Sequence, residues 1–171
     1  MIKNRFRQLI LQSLLAVTLI IPGVFGPAHA GMELHQLDGQ VVDLDDYRGN
    51  GKWLLVMLWS TSCHICEEQK PSISEFHTRH KDTDAEVLGI AIDGMKHIDA
   101  IRENVNTHKT SFPSLVGEIV IVASHYQGMT EESFRGTPTY LLFNPNGELL
   151  GNNPGPLRIE AIEQFMARNS G

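Results

Sequence analysis

At 171 residues, 42% of them hydrophobic and 20% charged, the chain has an ordinary globular composition with material for one core. Its formal net charge of −6 argues against nucleic acid as a partner and against adhesion to anionic lipid. Two cysteines in the whole chain exclude a scaffold that compensates for a small core with several bridges.

The first thirty residues read as a secretory signal peptide. Lys3, Arg5 and Arg7 form a positive start, an uncharged apolar run follows, and Ala28-His29-Ala30 is an A-x-A cleavage signal before Gly31. The alternative is an uncleaved anchor, because the apolar run approaches the ~18 residues of a membrane span; Pro22, Gly23 and Gly26 interrupt it and favour cleavage. No cysteine lies near the segment's end to carry lipid. Either way the folded part, expected as one domain over 31–171, lies outside the cytoplasm, in the periplasm or an equivalent compartment. Removal of residues 1–30 takes three of the 14 basic groups and none of the 20 acids, leaving a net −9.

In the remainder, MELHQLDGQVVDL carries the turn signal Asp38-Gly39 between apolar stretches and reads as a β-hairpin. DYRGNGK is a polar connection, and WLLVMLW (53–59) is an apolar run bounded by turn residues, the pattern of a strand buried on both faces. From His64 to about His80, Ile65, Ile73 and Phe76 suit a helix that Pro71 is expected to interrupt with a kink. EVLGIAID reads as a second buried strand, and KHIDAIRENVNTH as a helix with Ile98, Ile101 and Val105 on one face. The Ile/Val run in FPSLVGEIVIVASHYQG is a strand by propensity or a short helix by context. GMTEES (128–133) reads as a loop, PTYLLFNPNGELLG as a hairpin about Asn144-Pro145-Asn146-Gly147, and 157–168 as an amphipathic helix. The order implies an α/β layer fold with parallel strands linked by helices and closed by an antiparallel pair.

Cys63 and Cys66 fall where the first buried strand gives way to a helix. A bridge across so short a loop removes little chain entropy, so a structural staple is a weak reading. Cys63, Cys66, His77 and His80 do not have zinc-finger spacing, and the helix would carry His77 ~16 Å from Cys66. Glu67 rather than His after Cys66 excludes haem attachment. A thiol at a helix start is stabilised as thiolate by unpaired N–H groups and the helix dipole, so an exposed attacking Cys63 and a shielded resolving Cys66 suit disulfide exchange.

Those residues carry a resemblance. Over nearly all of 33–168 the chain resembles the thioredoxin superfamily, and within it the exported TlpA-like branch that includes the reductants of cytochrome c maturation. Trp59 and Pro71 match the family's tryptophan and helix proline, RGTPTYLLFNPNGEL its cis-proline loop and hairpin, and LDGQVVDLDDYRGNGKWLLVMLWSTSC the branch's N-terminal hairpin and entry to the site. The resemblance implies a thioredoxin-like fold with a central mixed sheet flanked by helices and an N-terminal hairpin extension. It implies Cys63 and Cys66 as the catalytic pair and their disulfide as the redox centre, with no separate cofactor and no metal. Thr137 and Pro138 would dock a partner's extended backbone, with Trp59 beside them.

Two positions depart from the pattern. Met57 stands where thioredoxin keeps a buried Asp, and Gln69 where TlpA-like reductants carry Glu. Glu67 and Glu68 could substitute as proton relay, although acids also favour a first helical turn through the dipole. His64 and Ile65, between the cysteines, are expected to tune the pair; a protonated His64 would stabilise the Cys63 thiolate and make the disulfide more oxidising. The expected function is a reductase of disulfides in partner proteins, reset by a membrane-bound electron donor. The alternatives are a disulfide oxidase or isomerase, a redox-inactive binding module, and a Cu(I) chaperone.

Overall fold

The computed structural model describes residues 31–169; the signal-peptide and anchor readings of residues 1–30 lie outside them. A seven-stranded sheet is built from β1 (Glu33–Gln36), β2 (Val41–Asp43), β3 (Trp53–Trp59), β4 (Ala85–Ala91), β5 (Ser114–Val116), β6 (Thr139–Phe143) and β7 (Leu149–Pro154), in the order β2-β1-β5-β4-β3-β6-β7. β3, β4 and β5 run parallel, and the two flanking hairpins pair antiparallel to them. The helices are α1 (His64–His80), α2 (Ile98–His108), α3 (Ile119–Thr130) and α4 (Ile159–Asn169). Among the described residues no helix is long and apolar enough to cross a membrane.

The continuous apolar run 53–59 is explained by the sheet's two covered faces. Every residue of β3 is buried, and side chains alternate across the pleat. Trp53, Leu55, Met57 and Trp59 enter a cluster with Ile73 and Phe76 of α1, Ile101 of α2 and Met166 of α4. Leu54, Val56 and Leu58 enter a second with Val122 and Tyr126 of α3. Two cores thus share one strand.

One expectation left open is resolved, and two need correction. The segment FPSLVGEIVIV divides at Gly117: Ser114–Val116 pair with β4 and β1, while Ile119 opens α3. The four-residue spacing of Val122 and Tyr126 buries one stripe of that helix and leaves Val120 74% exposed, so packing overrides β propensity. The expected loop at 128–133 is shorter, because Gly128–Thr130 complete α3 before Glu131 turns left-handed at φ 61°. The first long helix also runs through Pro71 without interruption. Its buried stripe is Cys66, Lys70, Ile73, Phe76 and His77; Ile65, counted among the apolar helical positions in the sequence, is 46% exposed.

Candidate active site

β3 delivers the chain to its C-terminal edge at Trp59, and residues 60–62 turn it into α1. Cys63 is the N-cap, with extended backbone at φ −92° and ψ 96°. Its sulfur accepts the Cys66 backbone N–H at 3.1 Å, which satisfies one of the helix's unpaired donors. The two cysteines are joined, with S–S 2.01 Å and Cα–Cα 5.2 Å. Cys66 is wholly buried and Cys63 half-buried, the inequality expected of a resolving and an attacking sulfur.

Neighbouring strands fix the turn. Asp93, two residues past the end of β4, accepts the Thr61 N–H with both carboxylate oxygens at 3.2 and 3.1 Å and the Thr61 hydroxyl at 2.6 Å. The loop entering β6 lies on the other side: Ser60 Oγ is 3.2 Å from Thr137 Oγ1. The Thr137–Pro138 bond is cis, as the sequence suggests, and the Thr139 hydroxyl donates to the Gly136 carbonyl at 2.6 Å across this turn.

Trp59 differs from expectation. It is fully buried, so it offers no surface to a partner and supports the site from beneath. It fits because Gly89 on β4 has no side chain: a Cβ there would lie 3.1 Å from the indole nitrogen and 3.0 Å from Phe112. One face of its ring carries the ammonium of Lys70, 3.7 Å from the ring centroid, a cation–π contact.

The intervening residues face outward. The His64 side chain is 81% exposed, with its ring nitrogens 3.6 Å from Glu67 and 3.2 Å from Glu68. Any positive charge it gains is offset by those acids before it reaches the sulfur, which weakens the tuning role expected of it. Glu67 is also 3.6 Å from His108 of α2, and Ile65 sets an exposed apolar side chain next to the disulfide.

The two departures from the family pattern have structural consequences. Met57 is apolar and fully buried. The Gln69 side-chain oxygen accepts the Leu157 N–H at 2.7 Å and the Tyr140 hydroxyl at 3.3 Å, tying α1 to β6 and to the approach of α4; burial pushes the Tyr140 phenol up. Of the histidines weighed as ligands, the buried His77 accepts the Val87 N–H at 3.0 Å, and burial lowers its pKa. His80 turns to Asp84 and Glu163.

Sequence reasoning missed Lys70 and Asp93. Lys70 is 1% exposed, and its ammonium donates to Asn104 Oδ1 of α2. Loss of hydration lowers its pKa to about 8, with Glu67 and then Asp93 opposing the shift. The signal was present: Lys70 stands four after Cys66 and three before Ile73, on the stripe that must face the sheet.

The AhpC/TSA family model matches residues 26–150. Thiol-disulfide oxidoreductase ResA of Halalkalibacterium halodurans is 26% identical over 133 residues, 78% of this chain and 70% of that protein. The exposed lipoprotein thioredoxin of Streptococcus pneumoniae superposes with a TM-score of 0.61 at 26% identity, over 81% of this chain and 99% of that one. A thiol:disulfide interchange protein of the thioredoxin family from Chlorobium tepidum gives a TM-score of 0.66 at 16% identity, over 81% and 92%. The superpositions establish a thioredoxin-like fold.

Proposed function

The chain belongs to the AhpC/TSA family and is a thiol:disulfide oxidoreductase, and we propose that it works outside the cytoplasm as a reductase of disulfides in partner proteins. The observation that carries this reading is the unequal pair: Cys63 half-exposed on a helix N-cap, Cys66 buried one turn deeper. In the reduced protein the Cys63 thiolate attacks one sulfur of the partner's disulfide. A Cys63–partner bond forms, and the partner's other sulfur leaves with the electron pair and takes a proton. Cys66 then attacks the Cys63 sulfur, the intramolecular bond forms, and the second partner thiol departs. The chain ends oxidised by two electrons, and a membrane-bound thiol donor resets it.

Half-buried Thr137 and exposed Ile65 form the docking surface for an extended peptide at Cys63, with Pro138 buried behind them. On this reading the two sulfurs are themselves the redox centre, and the exchange uses no separate cofactor. Equilibration with glutathione tests the direction: a reduction potential near ~−270 mV supports a reductase, whereas one near ~−120 mV makes the protein an oxidant and overturns it. Insulin reduction driven by dithiothreitol tests the chemistry itself. Cys63→Ser should abolish it, and an equal rate in variant and wild type would leave a binding module instead.

A further inference from the structure

The resolving sulfur must become a thiolate in a fully buried position, yet Met57 and Gln69 supply no acid to manage its proton. Lys70 occupies that region instead. Residues four apart on a helix have Cβ atoms about 5–6 Å apart, and helical side chains lean toward the N-terminus, so Lys70 reaches back over the turn that holds Cys66. Its ammonium sits on the face of Trp59, which belongs to the same buried cluster as Cys66.

The surroundings of this ammonium explain what it lacks. Asn104 of α2 contributes a neutral oxygen and Trp59 of β3 a ring face. The charges that reach it are Glu67 on its own helix and Asp93 after β4. Both are engaged elsewhere, Glu67 with His64 and His108 and Asp93 with Thr61. A cation stripped of water and only partly compensated favours any anion that forms near it.

The geometry points to Lys70 as the charge partner of Cys66, its buried ammonium holding the resolving sulfur as a thiolate once the Cys63–Cys66 bond is cut. This role rests on the exchange chemistry proposed above. In the mixed disulfide the Cys66 S–H gives its proton to solvent, leaving thiolate beside ammonium. The thiolate attacks the Cys63 sulfur, the bond to the partner breaks, and the partner sulfur leaves with the electron pair. A unit charge about 6–8 Å away at an effective dielectric of about 20 lowers a thiol pKa by about one to two units, a ten- to hundredfold gain in thiolate. Lys70 acts through Cys66 and touches no substrate; it is a positioning residue.

The test compares wild type, Lys70→Met and Lys70→Arg as full chains. Thiolate absorbance at 240 nm is followed against pH in the reduced protein, and the equilibrium with glutathione is measured at pH 7. Lys70→Met should raise the Cys66 titration by at least about one unit. It should also shift the redox equilibrium about tenfold toward the disulfide, about 30 mV more reducing. Insulin reduction at pH 7 should fall about tenfold and recover toward pH 9, while Lys70→Arg, which keeps the charge, behaves as wild type. Unchanged Cys66 titration in Lys70→Met overturns the assignment. A second measurement needs no variant: the Lys70 side-chain NMR titration should move to higher pH on reduction, because the thiolate favours the ammonium in return, and identical titrations in the two redox states also overturn it. Neither spectroscopic readout requires a partner protein, so both stand even if insulin reduction fails and the reductase reading with it.

Discussion

The Cys66 backbone N–H points at the Cys63 sulfur from 3.1 Å, so one residue of the pair supplies a hydrogen bond to the reactive atom of the other. When the bond between them is reduced, that N–H and the start of α1 remain in place to receive a negative sulfur. Alkylation of reduced protein by iodoacetamide should therefore follow a pH midpoint at least about one unit below the ~8.5 of a free thiol. A midpoint at the free-thiol value would show that the helix start does not activate Cys63.

Asp93 holds the turn before Cys63 through three contacts to Thr61. Asp93→Ala leaves a half-buried N–H and hydroxyl to find water and should cost about 1–3 kcal/mol in urea unfolding. The same variant should slow insulin reduction, because Thr61 and Cys63 share one short turn; full activity with full stability would mean the turn holds its shape unaided.

His77 makes stability depend on pH. Burial lowers its folded-state pKa below the ~6.5 of an exposed imidazole. Between those two values the unfolded chain binds the proton and the folded chain does not, so stability rises with pH there and is lost as pH falls below about 6.5. His77→Asn keeps an acceptor for the Val87 N–H but cannot be protonated. Urea midpoints at pH 7.5 and 5 should differ less in the variant than in wild type, and an unchanged difference would assign the acid sensitivity elsewhere.

Lys70 acts in the alkaline range, with its folded-state pKa lowered from 10.5 to about 8. Below pH 8 both states carry the charge and the fold bears its desolvation. Between pH 8 and 10.5 the folded chain sheds the proton first, so wild-type stability rises with pH across this window. Relative to Lys70→Met the gain should reach at most about 3 kcal/mol, at roughly 1.4 kcal/mol per pKa unit. Denaturation of the oxidised proteins at pH 7, 9 and 10.5 checks this, and parallel curves for the two proteins would contradict it.

Much of this architecture was legible in the sequence because single segments carried it. The run 53–59 matches β3 to the residue, α1 has the expected bounds, and the loop before β6 meets the turn before Cys63 through Thr137 and Ser60. What escaped was set by contacts between segments. Nothing local distinguishes Asp93 from an ordinary turn acid until β4 pairs with β3 and brings it to Thr61. Lys70 reads as a surface lysine unless the helical stripe is counted from Cys66 rather than from Ile65, and it takes the packed fold to show that Ile65 faces water. The Ile/Val run at 119–122 resembles a strand because its β propensity is real; the partner strand is taken by 114–116, and the turn at Gly117 leaves the run to coil.

Strand direction has a consequence for the site. β4 runs with β3 and so delivers its end, with Asp93, to the edge where the cysteines lie; β6 runs against β3 and so delivers its beginning, with Thr137 and Pro138, to that same edge. Were β6 parallel, its five residues would place that loop about 17 Å away at the opposite rim. Three connections of independent sequence therefore converge on two sulfur atoms while the strands beneath them stay untouched. They meet there through Ser60 with Thr137 and Thr61 with Asp93, so a change in one connection reaches the sulfurs through its neighbour while the strands stay as they are.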